Sequence, residues 1–246
     1  RDLRMSRGLG DVYKRQDYEP GCLGVHGEVD VYGAIRNSCN AFFFDVGRML
    51  TIHKMHTYAE LFALGEKTGC ELSESAGIMS DPKTYTERHG ANWYDGLPIQ
   101  AAIGQCDDMF TPIELAEYCA MIANGGTRHS ASILKSVRSY DGSELIYENE
   151  AEVLSTVETG DYNWAAVQKG MYLVANDPAG SAYETFGSYG VKVAAKTGTA
   201  QLGDNQVNNA IFICYAPYDN PKVAVAVVVE HGSAGASIAS IARAFL

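Results

Sequence analysis

Three strand-length apolar segments near the C-terminus constrain the fold more than any other part of the sequence. They cover residues 191–196, 209–215 and 223–230, and a helical pattern follows from about Ala236. Consecutive strands that are joined by short turns pair antiparallel, so these segments predict an antiparallel sheet that a final helix covers. The sequence therefore favours an α+β fold, with an antiparallel sheet flanked by helices.

The middle of the chain predicts helices, which would form an all-helical subdomain beside the sheet. Apolar residues recur at helical spacing over 29–50, interrupted at 37–40, with Met49 and Leu50 facing inward, and a second helix is predicted over 53–67. Thr111-Pro112 provides an N-cap hydroxyl and a first-turn proline, with Glu114 at the third helical position. The other predicted elements are a helix over 162–175, a strand hairpin over 131–148 and a long irregular segment over 70–100.

The charge and the cysteines of the chain limit its partners. The formal net charge is −11 at pH 7, whereas nucleic acids and anionic membrane surfaces attract basic proteins. We therefore expect no nucleic-acid partner. The six cysteines show no C-x-x-C pair and no Cys/His ligand spacing, so the sequence predicts neither a metal site nor a cofactor.

Residues 1–16 differ in composition from the rest of the chain. They hold five of the 19 Lys and Arg residues but only two of the 30 acidic residues. Within them the string SRGLGDVYKRQ resembles translated adapter sequence of the kind that contaminates assembled metagenomic reads. We therefore predict that residues 1–16 are a non-native segment and that residues 17–246 form the C-terminal part of one domain.

Lys196, Thr197, Gly198 and Thr199 come at the end of a strand that we predict to be an inner one. A buried lysine is costly unless its ammonium reaches a cleft and finds partners there. Thr197 and Thr199 present their hydroxyls on one side of the strand, and Gly198 lets a ligand approach the backbone. These groups are suited to binding a carboxylate and to donating a backbone N–H to a developing oxyanion. A plain turn is the alternative interpretation.

Ser38-Cys39-Asn40 interrupts the first helical pattern with two short polar side chains, which compete with the helix for backbone hydrogen bonds. One interpretation is an ordinary N-cap for a helix that begins at Ala41. The other is a catalytic corner, in which Ser38 transfers a proton and Asn40 orients a substrate amide.

Taken together, Ser38-x-Asn40 and Lys196-Thr197-Gly198 match two of the three signatures of the penicillin-recognising active-serine enzymes. Further motifs resemble the transpeptidase domain of class B penicillin-binding proteins: Phe42-Phe43-Phe44, Ala102-Ile103-Gly104-Gln105, Ile122-Ala123-Asn124-Gly125-Gly126 and the string KTGTAQ. The resemblance runs from about residue 18 to the end. Cys106 stands where such proteins usually have a glycine.

The resemblance implies a peptidoglycan D,D-transpeptidase. Such an enzyme acylates a serine with a stem peptide that ends in D-Ala-D-Ala, and then passes the acyl group to an amine on a neighbouring strand. β-Lactams would bind in place of that peptide. The resemblance also implies a parent protein in the cell membrane, with this domain on the extracytoplasmic face, that works with the cell-wall elongation or division machinery. A β-lactam sensor domain and a β-lactamase of the same superfamily are the alternatives.

The resemblance also implies roles for individual residues. Lys196 would supply positive potential, and the hydroxyls of Thr197 and Thr199 would bind the substrate carboxylate. The N–H of Thr199 would be half of the oxyanion hole. Ser38 would relay a proton between the leaving group and a base, and Asn40 would form a hydrogen bond with the substrate backbone.

The third signature of the family, Ser-x-x-Lys, supplies the nucleophile and lies N-terminal to Ser-x-Asn. Ser132-Ile133-Leu134-Lys135 has this spacing, but it follows Ser38 and falls on a predicted strand, where alternation would put Ser132 and Lys135 on opposite faces. We therefore expect the nucleophile to be absent, the chain to be an N-terminally truncated fragment of its parent, and the fragment to be inactive.

Overall fold

The computed structural model describes residues 21–22, 24–203 and 206–246, so the predicted non-native segment 1–16 lies outside the described residues. The helices are α1 (Val31–Arg36), α2 (Asn40–Leu61), α3 (Pro82–His89), α4 (Leu97–Ala101), α5 (Pro112–Asn124), α6 (Asp161–Asn176), α7 (Tyr183–Phe186) and α8 (Ala239–Phe245), with a 3-10 helix at Gly235–Ile238. The strands are β1 (Thr127–His129), β2 (Ser136–Arg138), β3 (Leu145–Glu148), β4 (Val153–Thr156), β5 (Ala194–Ala200), β6 (Asn209–Ala216) and β7 (Val223–Val229).

Strands β5, β6 and β7 form a three-stranded sheet in that order, with antiparallel pairing throughout. The predicted antiparallel sheet and the closing helix are therefore confirmed. Among the described residues β5 lies at an edge of the sheet, so the prediction that it is an inner strand is wrong. It also runs on to Ala200, which places Lys196 and Gly198 within the strand rather than at its end.

Helix packing against the sheet sets the position of α1. Helix α5 packs against β6 and β7, whereas α6 packs against both β5 and α1. Gly170 permits the close approach of α1 and α6, since a Cβ at that position would lie only 2.6 Å from Cδ1 of Ile35. Because α6 contacts both elements, the C-terminal end of α1 is held beside β5.

The predicted start of α5 is confirmed, whereas the predicted inward facing of Met49 and Leu50 is wrong. Thr111 accepts from the N–H of Glu114, and the Glu114 carboxylate accepts from the N–H of Thr111, which forms a capping box. The predicted second helix is confirmed, because the backbone of Thr51, with a φ of 68° and a ψ of 159°, is not helical and divides α2 at a kink into two helices. The second of them ends at Leu61 rather than at residue 67. Met49 and Leu50, expected to face inward, precede the kink and are 56% and 37% exposed.

Two further predictions concern the middle of the chain. The hairpin within 131–148 is confirmed, because β2 and β3 pair antiparallel. The segment 70–100 is not irregular throughout, since α3 and α4 lie in it. No helix in the described ranges has both the length and the apolar character needed to span a bilayer.

Candidate active site

Ser38 lies in a turn that ends α1 and leads directly into α2. The N–H of Cys39 donates to the carbonyl of Ala34 at 2.9 Å, and the N–H of Ser38 donates to the carbonyl of Ile35 at 3.2 Å. These two bonds form a Schellman motif, whose left-handed position is usually a glycine. Ser38 occupies that position with a φ of 49°, a conformation that costs a non-glycine residue about 1–2 kcal/mol.

Lys196 extends from β5 to this turn. Its Nζ donates to Oγ of Ser38 and, at 2.7 Å, to the carbonyl of Thr197. The two signatures, 158 residues apart in sequence, therefore meet side chain to side chain. Lys196 is half-buried as a residue, and desolvation of its ammonium lowers the pKa of Lys196 to about 8, so a fraction of this amine is neutral near physiological pH. The interpretation of Ser38-Cys39-Asn40 as an ordinary N-cap for a helix that begins at Ala41 is wrong, since α2 begins at Asn40 and its N-cap, Cys39, makes no side-chain cap bond.

Asn40 is the first residue of α2 and faces a different partner. Its Nδ2 donates to the carbonyl of Gly21 at 3.1 Å. The side chain is half-buried and fixes the segment that contains Gly21 against the start of α2. The structure therefore brings Ser38 and Lys196 into contact, and it places Asn40 two residues further along the same turn.

Thr197 and Thr199 lie on the opposite face of β5 from Lys196, because side chains alternate along a strand. The hydroxyl of Thr197 meets Oγ of Ser181 at 2.9 Å, and the carbonyl of Thr199 accepts from Nε2 of Gln105 at 3.0 Å. Sequence reasoning assigned no role to Ser181 or to the Gln105 side chain. A single short contact from a distant loop leaves no periodic pattern by which either residue could have been found.

Gly198 lies under the 3-10 helix that precedes α8. A Cβ at Gly235, the first residue of that 3-10 helix, would lie 2.5 Å from the carbonyl oxygen of Gly198 and 2.3 Å from that of Ile211. A Cβ at Gly198 itself would lie 3.3 Å from Cβ of Ile211. Close packing of backbone on backbone therefore also accounts for a glycine at position 198, alongside the access for a ligand that the sequence suggested.

The chain that carries this site is similar in sequence to proteins of one known family. The family model of the penicillin-binding protein transpeptidase domain matches residues 10–246. The chain belongs to the penicillin-binding protein transpeptidase family. It is 32% identical over 238 residues to the peptidoglycan D,D-transpeptidase MrdA of Salmonella typhimurium, a match that covers 90% of this chain and 38% of MrdA. It is also 32% identical over 233 residues to penicillin-binding protein H of Bacillus subtilis, with 82% of this chain and 31% of that protein covered.

Solved penicillin-binding proteins share the fold. PBP2 of Pseudomonas aeruginosa matches with a TM-score of 0.81 at 26% identity, over 98% of this chain and 51% of that chain. PBP2 of Helicobacter pylori matches with a TM-score of 0.79 at 27% identity, over 92% of this chain and 41% of that chain. The same H. pylori protein in complex with MreC gives a TM-score of 0.77 at 26% identity, again over 92% and 41%. The chain thus spans less than two fifths of the length of these curated relatives.

Two Ser-x-x-Lys sequences lie in the described part of the chain, and the hydroxyl of each serine has a partner within the protein. Ser132 lies before β2 rather than on the predicted strand, and its hydroxyl donates to the carboxylate of Glu71. A second occurrence, Ser80-Asp81-Pro82-Lys83, escaped the sequence analysis. Ser80 is fully buried and its Oγ accepts from a backbone N–H, whereas the Lys83 side chain is 83% exposed.

Cys22, His26 and Cys39 form a group of possible metal ligands within the described residues. Their ligand atoms all lie within 4.8 Å of one another, and Sγ of Cys22 lies 3.3 Å from Nδ1 of His26. Two thiols and an imidazole are ligand types that suit Zn²⁺. The sequence analysis missed this group because only the turn between α1 and α2 brings Cys39 to the other two residues.

The left-handed backbone at Ser38 leads to a stability prediction. Ser38→Gly and Ser38→Ala both remove the hydroxyl that Lys196 contacts, but only glycine adopts this φ without steric cost. We expect Ser38→Gly to exceed Ser38→Ala in free energy of unfolding by about 1 kcal/mol. Urea denaturation of the two variants measures the difference. Equal midpoints would mean that the turn is not strained.

Proposed function

We propose that the protein containing this chain is a peptidoglycan D,D-transpeptidase, which the curated relatives are named to be. The observation that carries the proposal is the contact of Lys196 Nζ with Ser38 Oγ, beside the edge of β5 that no other strand of the described residues covers. This contact joins the two signature motifs of the family into one site. The substrate class would be a stem peptide with a D-Ala-D-Ala terminus, and β-lactams would compete with it.

Each group at the site would act on a different part of that peptide. The Lys196 ammonium would attract the terminal carboxylate, which the hydroxyls of Thr197 and Thr199 would bind. The Thr199 N–H would donate to the oxyanion that develops at the attacked carbonyl. Ser38 would pass a proton between the leaving amine and the lysine, for which an amine with a pKa near 8 is well matched at neutral pH. Asn40 would form a hydrogen bond with the peptide backbone.

We further propose that the chain by itself forms no acyl-enzyme. Among the described residues, Ser132 is bound to Glu71, and Ser80 is buried with its oxygen occupied by a backbone N–H. An acyl transfer needs an accessible hydroxyl with a base beside it. Ser38 has the Lys196 amine beside it, and the proposed mechanism assigns this pair to proton relay rather than to attack. What remains is a site that binds the peptide without reacting with it.

We also propose that the whole protein acts at the extracytoplasmic face of the cell membrane, together with cell-wall elongation or division proteins. The solved complex of H. pylori PBP2 with MreC supports this proposal at the level of the family. In that structure a penicillin-binding protein is in complex with a second protein, which favours a protein partner for the whole protein as well.

Binding of a short peptide tests the proposed function on the chain itself. We expect N-acylated D-Ala-D-Ala to bind at least tenfold more tightly than the L-Ala-L-Ala isomer in ligand-observed NMR. We also expect the affinity to fall as the pH rises through about 8, since Lys196 then loses its proton and its attraction for the carboxylate. Equal binding of the two isomers would contradict the function.

A fluorescent penicillin tests the proposed lack of acylation. After incubation and a denaturing gel, we expect no labelled band at the mass of the chain. A labelled band at that mass would contradict the proposal. Its loss in Ser132→Ala or Ser80→Ala would identify the nucleophile, and its survival in both would locate the nucleophile elsewhere in the chain.

A further inference from the structure

The side-chain amide of Gln105 is bound to the outer edge of β5, the edge opposite β6. Its Nε2 donates to the carbonyl of Thr199 at 3.0 Å, and its Oε1 accepts from the backbone N–H of Gln201 at 3.4 Å. One carboxamide thus donates to Thr199 in β5 and accepts from Gln201 just after it, two positions further along. This is the pair of bonds that a residue of an added strand would make.

The geometry of a β-strand determines which backbone N–H and C=O groups lie along this edge. The N–H and C=O of one residue point to the same side, and alternate residues point to the same edge. Thr197, Thr199 and Gln201 therefore present their backbone groups to one edge. Nζ of Lys196 donates to the Thr197 carbonyl at 2.7 Å. The side chain of Gln105 binds further along the same edge, at the Thr199 carbonyl and the Gln201 N–H. The N–H of Thr199 lies between these two attachments.

The loop that carries Gln105 is itself firmly held. The backbone N–H of Gln105 donates to the carbonyl of Gln100 at 3.0 Å, and the N–H of Asp107 donates to Oγ of buried Ser80 at 3.0 Å. The carboxylate of Asp107 lies 2.9 Å from Nε2 of His89. A side chain anchored in this way can fix a strand end that would otherwise fray, because Ala200 is the last residue of β5 and the strand has no neighbour on that side among the described residues.

We propose that Gln105 is a positioning residue for the transpeptidase reaction, which holds the end of β5 so that the Thr199 N–H is fixed toward the bound peptide. This inference rests on the proposed function, since that function assigns the oxyanion to the Thr199 N–H. A donor that is held in place before the charge develops needs no reorganisation, which is the basis of oxyanion stabilisation. Gln105 touches the strand rather than the substrate.

Three variants separate the two bonds of Gln105. Gln105→Met keeps the length of the side chain and removes both bonds, whereas Gln105→Glu keeps an acceptor for Gln201 but cannot donate to Thr199. Gln168→Met is the matched control, because Nε2 of Gln168 donates to the carbonyl of Ile122 at 2.8 Å between α5 and α6, away from β5. Circular dichroism establishes whether each variant is folded. If one of the two Gln105 variants does not fold, the other is compared alone with Gln168→Met.

Amide hydrogen exchange followed by NMR gives the first measurement. We expect the Gln201 N–H to exchange at least tenfold faster in Gln105→Met and at the unchanged rate in Gln105→Glu and Gln168→Met. Equal exchange of Gln201 in Gln105→Met and the original chain would overturn the inference, because the strand end would then not depend on Gln105.

Binding of N-acylated D-Ala-D-Ala gives the second measurement. We expect about tenfold weaker binding in both Gln105→Met and Gln105→Glu, because each loses the bond to Thr199, and no change in Gln168→Met. Unchanged affinity in the Gln105 variants would overturn the inference and leave the proposed function standing. If the original chain does not distinguish D-Ala-D-Ala from L-Ala-L-Ala, the proposed function fails, and the exchange rates alone decide whether Gln105 holds the strand.

Discussion

Replacing Glu114 by alanine is expected to lower the free energy of unfolding by about 3–5 kcal/mol. The side chain is only 2% exposed, and its carboxylate accepts from the N–H groups of Gly65 at 3.0 Å, Gly77 at 3.0 Å and Thr111 at 2.6 Å. Alanine would leave these three backbone donors without their acceptor inside the protein. Each buried donor without a partner costs about 1–3 kcal/mol.

Urea denaturation of Glu114→Ala measures the loss, with Glu87→Ala as the matched control. Glu87 lies on the exposed side of α3, where it pairs with Lys83 at 4.0 Å, so its removal should change the free energy of unfolding by less than about 0.5 kcal/mol. Glu114→Gln, which retains one acceptor oxygen, should fall between the two. Equal midpoints for Glu114→Ala and Glu87→Ala would mean that these three hydrogen bonds contribute nothing to stability.

Glu114 also shows which contacts can be predicted from the sequence and which cannot. Its capping box with Thr111 could be predicted, because the two residues are three positions apart and their types form a local signature. Its bonds to Gly65 and Gly77 could not, since they join it to backbone groups 49 and 37 residues away. A backbone N–H carries no residue type, so such a contact leaves no trace in the sequence.

The strands and the site show the same contrast between local patterns, which the sequence predicts, and contacts between distant residues, which it does not. Apolar content and turn residues located β6 and β7 closely, but the start of β5 was misplaced because Val191 continues the apolar pattern outside the sheet. The meeting of Ser38 with Lys196 was expected only through the family resemblance, because no periodicity relates residues 158 positions apart. Cys106 has a φ of 70°, which accounts physically for the glycine that the family usually has at that position.

Replacing Lys196 by methionine is expected to raise the free energy of unfolding at pH 7 by about 1–3 kcal/mol and to abolish peptide binding. Methionine has a similar length and carries no charge. Desolvation lowers the pKa of Lys196 to about 8 in the folded chain, against about 10.4 for an exposed lysine. Protonated Lys196 therefore opposes folding, and its bonds to Ser38 and Thr197 offset only part of that cost.

The pH dependence separates this cause from a general gain in packing. Between about pH 8 and pH 10.4 the unfolded chain holds the lysine proton and the folded chain does not, so the stability of the original chain rises with pH across this window. The advantage of Lys196→Met should therefore be largest below pH 8 and shrink toward pH 10.4. Lys192→Met, at an exposed position just before β5, should show neither the gain nor the shrinkage. A constant difference in free energy of unfolding between Lys196→Met and the original chain from pH 7 to pH 10 would mean that the charge of Lys196 does not destabilise the fold.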